Sequence, residues 1–212
     1  MSKLEDVTSA VEGGKLKKIE GIVRETLDNG VPAADILNCM IDTMSTVGDK
    51  FQRNEIFVPE MLVAALTMKK GVSVLQPLLA GDAISSCGKF IIGTVAGDLH
   101  DIGKNLVALM VESAGFEVID LGVDVPPEKF VEAIKANPDC KIIGISALLT
   151  TTMDAMRNTV DAIVSAGLRS NVKILIGGAP ITPEFALEIG ADAYTSDAGA
   201  AAAKAKEIAL AS

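Results

Sequence analysis

The 212-residue chain has no tryptophan, one tyrosine and six phenylalanines, and its 19 Lys and Arg are outnumbered by 28 Asp and Glu, for a net charge of −9. A nucleic-acid partner needs the reverse: a cationic footprint for phosphates and, for single strands, aromatic faces on which bases stack. Nucleic acid is therefore not expected as a partner. Cysteine is scarce as well. Cys39, Cys87 and Cys140 are odd in number, scattered and without metal-ligand spacing, which fits a reducing compartment better than a disulfide framework. No apolar run reaches the roughly 20 residues of a membrane span, and the opening MSKLEDVTSAVEGGK carries no apolar signal segment. These absences lead to the expectation of a cytoplasmic globular protein with no membrane partner. Histidine occurs once, as His100.

What the chain has in abundance is apolar residues, 49% of the total, enough for one large or two small packed interiors. Their spacing changes along the sequence. Residues 15–27 place Leu16, Ile19, Ile22, Val23 and Leu27 on one face, stopped by Asp28, Asn29 and Gly30. A second helix can start at Pro32, a favoured first-turn residue, and carries Ile36, Leu37, Met40, Ile41, Met44 and Val47. A third runs from Pro59 through Met61, Leu62, Ala65, Leu66, Met68, Val72 and Leu75, ending before Pro77. Steps of three and four are helical. Short connections favour antiparallel neighbours, so residues 1–79 are expected to form a four-helix bundle. Residues 80–89, small and polar with two glycines, read as a linker.

From residue 90 to 212 the pattern alternates. Residues 90–95, 117–121, 142–146 and 172–176 are short β-branched runs, each followed by a helical stretch, at 104–114, 127–136, 152–166 and 183–189. A fifth strand at 191–195 and an Ala-rich helix at 198–210 complete the series. Strands alternating with helices predict right-handed βαβ units and a doubly wound parallel sheet covered on both faces.

Three loops at strand carboxyl ends hold the unusual residues. The first is Gly97-Asp98-Leu99-His100-Asp101-Ile102-Gly103, the second runs from Ser146 through Leu148 and Thr150 to Thr152, and the third is Gly177-Gly178 with Ala179 and Pro180. The carboxyl ends of strands are where open α/β sheets hold ligands. A lone imidazole with a carboxylate two residues away looks like a ligand group whose tautomer is set by a partner. A glycine pair at a rim lets a ligand approach the backbone. Taken singly, the glycines also suit an ordinary turn, and Thr150–Thr152 a helix N-cap.

Two competing motifs fail. His100-Asp101 spells the pair found in all-helical metal-dependent phosphohydrolases, but those sites need further histidines, and this chain has one. No G-x-G-x-x-G follows the first strand, which removes a dinucleotide loop.

Together, D-x-H-x-x-G at Asp98, His100 and Gly103, S-x-L at Ser146 and Leu148, and G-G at Gly177 and Gly178, spaced by about forty and then about thirty residues, resemble the cobalamin-binding domain of methionine synthase and its relatives. FQRNEIFVPEMLVAALTMKKGVSVLQPLL, residues 51–79, is similar to the helical cap that precedes this domain in corrinoid methyl carriers. The resemblance implies a Rossmann-like, flavodoxin-like domain holding cobalamin or a related corrinoid in a base-off form. His100 would be the lower ligand of cobalt, Asp98 its hydrogen-bond partner, and Thr152 the hydroxyl completing the relay. Leu99, Asp101, Ile102, Gly103, Ser146, Leu148, Thr150, Gly177 and Gly178 would line the cofactor site, and Val58 and Met61, with Phe57 and Leu62, the upper face under the cap.

The function so implied is carriage of a methyl group, with cobalt cycling between Co(I) and methyl-Co(III), in the one-carbon metabolism of methanogenesis or acetogenesis. The implied partners are a substrate:corrinoid methyltransferase (for methylamine, methanol, betaine or aromatic methyl ether donors), a methylcorrinoid:coenzyme M or tetrahydrofolate methyltransferase, and a reductive activation protein. Such a carrier has no turnover of its own. Two alternatives stand beside it. One is the small subunit of an adenosylcobalamin mutase, which lacks a helical cap. The other is a corrinoid-sensing regulator, which usually brings a DNA-binding segment.

Overall fold

A computed structural model describes residues 3–79 and 87–211. Contacts divide the chain into two compact units, the second beginning at Cys87. Most of the expected linker, residues 80–86, lies outside the described residues.

The first unit is helical: α1 (Lys3–Glu12), α2 (Ile19–Asp28), α3 (Ala33–Gln52) and α4 (Val58–Leu75), closed by a 3-10 turn at Gln76–Leu78. The apolar stripes face inward. Ile19 and Val23 of α2, Ile36, Leu37, Met40, Ile41, Met44 and Val47 of α3, and Met61, Ala64, Ala65, Met68 and Leu75 of α4 are all buried. The fourth helix is α1, which buries Val7, Ala10 and Val11. Gly71 lets α4 come close to its neighbours, since a Cβ there would lie 2.6 Å from Met40 Cε and 3.0 Å from Ile19 Cγ1.

The second unit runs β1 (Lys89–Thr94), α5 (Ile102–Ser113), β2 (Glu117–Asp120), α6 (Pro127–Ala136), β3 (Ile142–Ser146), α7 (Met153–Ser165), β4 (Lys173–Gly177), α8 (Pro183–Glu188), β5 (Ala193–Tyr194) and α9 (Ala198–Ala211). The sheet order is β2-β1-β3-β4-β5, parallel throughout. Its central strands are apolar on both faces, as burial between helical layers requires: Phe90, Ile91 and Ile92 of β1 and Ile142, Ile143 and Ile145 of β3 are buried. Two strand glycines make room for rings. A Cβ on Gly93 would meet Phe130 at 2.8 Å, and one on Gly144 would meet Phe90 at 2.8 Å.

The connection leaving β1 moves outward to β2, whereas β3 sits on β1's other side. The order therefore reverses between β1 and β3, and the carboxyl ends of strands at such a switch point are where open α/β sheets hold ligands. Register aligns Thr94 with Ser146 and Ser146 with Gly177, so the three motif loops leave one rim. The opposite, amino-end rim is laced by ion pairs. Lys89 pairs with Asp139, and Asp192 with Arg169 and Lys173. Arg169 also donates to the Gly190 and Val172 carbonyls.

Candidate functional site

The loop leaving β1 turns at Gly97 (φ +79°) and buries the Asp98 side chain completely. A buried carboxylate is tolerated only when its lone pairs are filled, and four donors fill these. Oδ1 accepts from His100 Nδ1 at 2.8 Å and from the His100 backbone N–H at 3.1 Å. Oδ2 accepts from the Leu148 backbone N–H at 2.7 Å and from Thr152 Oγ1 at 2.8 Å. Burial by itself pushes the Asp98 carboxyl up. The Leu148 N–H, the His100 ring, the His100 N–H and the Thr152 hydroxyl together outweigh it and hold the group far below the usual carboxylate range.

Asp98 is therefore ionised and accepts only, which makes His100 Nδ1 the donor and leaves Nε2 as the ring nitrogen that the carboxylate does not engage. The side chain is half exposed, and its hydrogen bond to Asp98 engages Nδ1 alone. The backbone is pinned as firmly as the ring: Thr94 Oγ1, on a fully buried residue at the end of β1, donates to the His100 carbonyl at 3.0 Å.

Thr150–Thr152 forms a 3-10 turn leading into α7. Thr152 stands at the N-cap position, yet its side chain makes no capping bond. Its hydroxyl faces Asp98 Oδ2 and, at 2.9 Å, the Leu149 carbonyl. The N-cap alternative for this threonine is thus overturned, because its oxygen lies against the carboxylate. Thr150 is exposed.

The loops that carry His100 and its partners also present apolar side chains to solvent: Leu99 is 72% and Ile102 84% exposed, with Leu148 and Leu149 about half that. Such a cluster marks a binding surface. Gly103 is the second residue of α5, and a Cβ there would meet nothing within 4 Å. Among the described residues no packing requires a glycine at that position. The reverse holds for the glycine pair. A Cβ on Gly178 (φ +133°) would lie 1.8 Å from the Ala147 carbonyl oxygen, and one on Gly177 3.1 Å from that of Thr195. Gly178 thus lets the loop after β4 lie directly on the loop after β3. Ser146 ends β3, and its carbonyl accepts from Val95 N–H.

Asp101 is exposed and precedes α5, accepting from the Asn105 backbone and side-chain amides. Val58 and Met61 lie on α4 of the first unit, Val58 exposed and Met61 fully buried. Sequence reasoning does not reach Thr94, although a polar residue ending a buried strand is a usable signal. Leu148 contributes a backbone N–H, which residue type cannot reveal. Among the described residues no three His, Cys, Asp or Glu side chains gather to hold a metal ion. One imidazole can serve only a metal that brings its other ligands with it.

Residues 88–205 match a family described as B12 binding domain, and residues 3–76 match a second family of the same description. The chain is 42% identical over 207 residues to dimethylamine corrinoid protein 3 of Methanosarcina acetivorans, covering 98% of this chain and 97% of that one. It is 40% identical over 190 residues to the trimethylamine corrinoid protein of Methanosarcina barkeri, covering 88% and 87%. Its structure resembles a cobalamin-binding protein from Desulfitobacterium hafniense with a TM-score of 0.81 at 32% identity, covering 96% and 97%.

Proposed function

The chain belongs to the B12-binding corrinoid proteins, and from that premise we propose that it carries a methyl group between two methyltransferases, with His100 as the protein ligand of the corrinoid cobalt. The observation that carries the ligand assignment is the Asp98–His100 pair. The carboxylate holds Nδ1 and does not engage Nε2, on a loop with exposed apolar side chains at the switch point of the sheet. The residues suit the group: those side chains match an apolar macrocycle, and Gly103 leaves its approach clear. When bound, the corrinoid supplies the cobalt that accepts and gives up the methyl group. The chain's part is to hold it. His100 would ligate, Asp98 holds Nδ1 and so orients the ring, and Thr152 and the Leu148 N–H fix Asp98. Gly177, Gly178, Ser146 and Thr150 lie on the rim that would take the displaced nucleotide tail.

The relatives named for dimethylamine and trimethylamine support a methylamine as the donor. A methylamine:corrinoid methyltransferase would load the cobalt, a second methyltransferase would pass the methyl to coenzyme M or tetrahydrofolate, and a reductive activation protein would restore it. The test is the absorption spectrum of corrinoid-loaded protein, reduced and then given a methylamine with its methyltransferase. Methylation of the cobalt is expected with dimethylamine or trimethylamine. Loading by no methylamine would sink the donor assignment. A His100→Ala protein that kept an axial nitrogen on cobinamide, a corrinoid without its own base, would sink the ligand assignment.

A further inference from the structure

We propose that Asp124, in the loop after β2, is a positioning residue for axial ligation: it sets where the Asp98–His100 pair stands and acts on the cobalt only through it. The inference rests on His100 being the lower ligand.

Asp124 grips the Gly97–Asp98 dipeptide at both ends. Its Oδ1 accepts from the Gly97 N–H at 2.7 Å, and its own N–H donates to the Asp98 carbonyl at 2.9 Å. The dipeptide so held is the one from which the buried carboxylate projects, and it needs Gly97 at φ +79° to expose that N–H. The grip has a conformational cost. Asp124 stands at φ +53°, one of two non-glycine residues with positive φ among the described residues. Such positions persist where the surroundings over-determine them.

The loop that carries Asp124 is itself fixed. Thr94 N–H donates to the Gly122 carbonyl, Val125 N–H donates to the Thr94 carbonyl, and Val95 bridges to Val125. Gly122 N–H donates in turn to Asp120 Oδ1 at 2.9 Å, and Asp120 Oδ2 takes the buried Lys104 ammonium at 2.5 Å. The edge strand thereby becomes an anvil against which the loop after β1 is set. Asp98 is then constrained from three sides: its carboxylate by the loop after β3, its backbone by Asp124, and its neighbour His100 by Thr94.

Loss of the Asp124 acceptor frees the Gly97 N–H and lets the dipeptide rotate. The carboxylate then has to choose between its Leu148 and Thr152 donors and the imidazole. Asp124→Asn keeps an acceptor oxygen and a side chain that tolerates the left-handed conformation, whereas Asp124→Gly keeps the conformation and loses the acceptor.

The experiment is a double-mutant cycle on the full-length protein, reading the Kd for Co(II) cobinamide and the nitrogen splitting of its electron paramagnetic resonance signal. Cobinamide has no nucleotide base, so any axial nitrogen comes from the protein. Asp124→Gly is expected to raise Kd about tenfold and to lower the fraction of cobalt showing nitrogen splitting. Asp124→Asn is expected to stay within about twofold of wild type, and Asp124→Gly made in a His100→Ala background to leave that variant's Kd unchanged within about twofold. Wild-type affinity in Asp124→Gly, with His100→Ala impaired, overturns the proposal and leaves His100 standing. Equal losses from Asp124→Gly in both backgrounds overturn it too, since the effect would not pass through His100. Loss in Asp124→Asn equal to that in Asp124→Gly overturns the role of the acceptor. If His100→Ala alone changes neither Kd nor splitting, the ligand assignment fails first.

Discussion

Replacing Asp98 by asparagine changes one oxygen to an NH₂ and keeps the volume, so its cost measures the hydrogen bonds. All four groups around the carboxylate donate in the wild type, and an amide can accept on one side only. With the NH₂ placed toward Thr152, that hydroxyl can turn to accept, because the Leu149 carbonyl at 2.9 Å takes its proton. The Leu148 N–H is then left facing a donor. An orphaned buried N–H costs about 1–3 kcal/mol, and losing the charge from the surviving bonds roughly halves their strength. With the NH₂ turned toward His100, the backbone N–H is orphaned instead and the ring must also change tautomer, a worse outcome. The expected destabilisation is about 2–4 kcal/mol. At roughly 3–5 °C per kcal/mol for a domain of this size, thermal unfolding of the corrinoid-free protein should shift down by about 10 °C. Circular dichroism melting checks it against wild type at neutral pH. A midpoint within about 1 °C of wild type would refute the reasoning, since it would mean that the buried oxygens are not what the four donors need.

Two further predictions concern the scaffold. Gly144→Ala drives a methyl group to 2.8 Å from the ring of the fully buried Phe90; it should cost about 1–3 kcal/mol by chemical denaturation, with cobinamide affinity unchanged. Asp192 is pushed up by burial but pulled below its ordinary range by the Ile174 N–H, Lys173 and Arg169. Its folded value is thus depressed, so its stabilisation is full at neutral pH and fades as pH falls through the ordinary Asp value of about 4 and below. Asp192→Asn should therefore lose about 1 kcal/mol at pH 7, and the gap from wild type should close on acidification; a constant gap would contradict it.

The period change near residue 90 is legible because strands and helices space apolar residues differently, and it places the sheet to within a residue or two at most ends. His100 is legible because it is alone, and Asp98 because it lies within reach of the imidazole. Helix α1 does not stand out by itself: its ten residues carry only Val7, Ala10 and Val11 as buried apolar groups, too brief a stripe to read. Thr152 can be read either as a cap or as a relay, and only the third dimension shows its hydroxyl turned from its own helix to a carboxylate 54 residues away. Asp124 is invisible for a related reason. Its role lies in a left-handed backbone and in a bond to a peptide N–H, neither of which leaves a mark on residue spacing. Gly178 reads as room for a ligand, and its nearest neighbour proves to be the Ala147 carbonyl.

The parallel sheet has a directional consequence for how this chain can vary. Every strand points its carboxyl end toward the rim of the motif loops, so the ion pairs of Lys89, Arg169 and Asp192 lie at the far rim, a strand's length from His100. Tolerance to heat or salt can therefore be retuned by exchanging residues at that rim while the imidazole keeps its surroundings. Changes in the three loops, conversely, can alter what they hold with little effect on the sheet beneath. The two edges can drift independently, one answering to the environment and the other to the cargo.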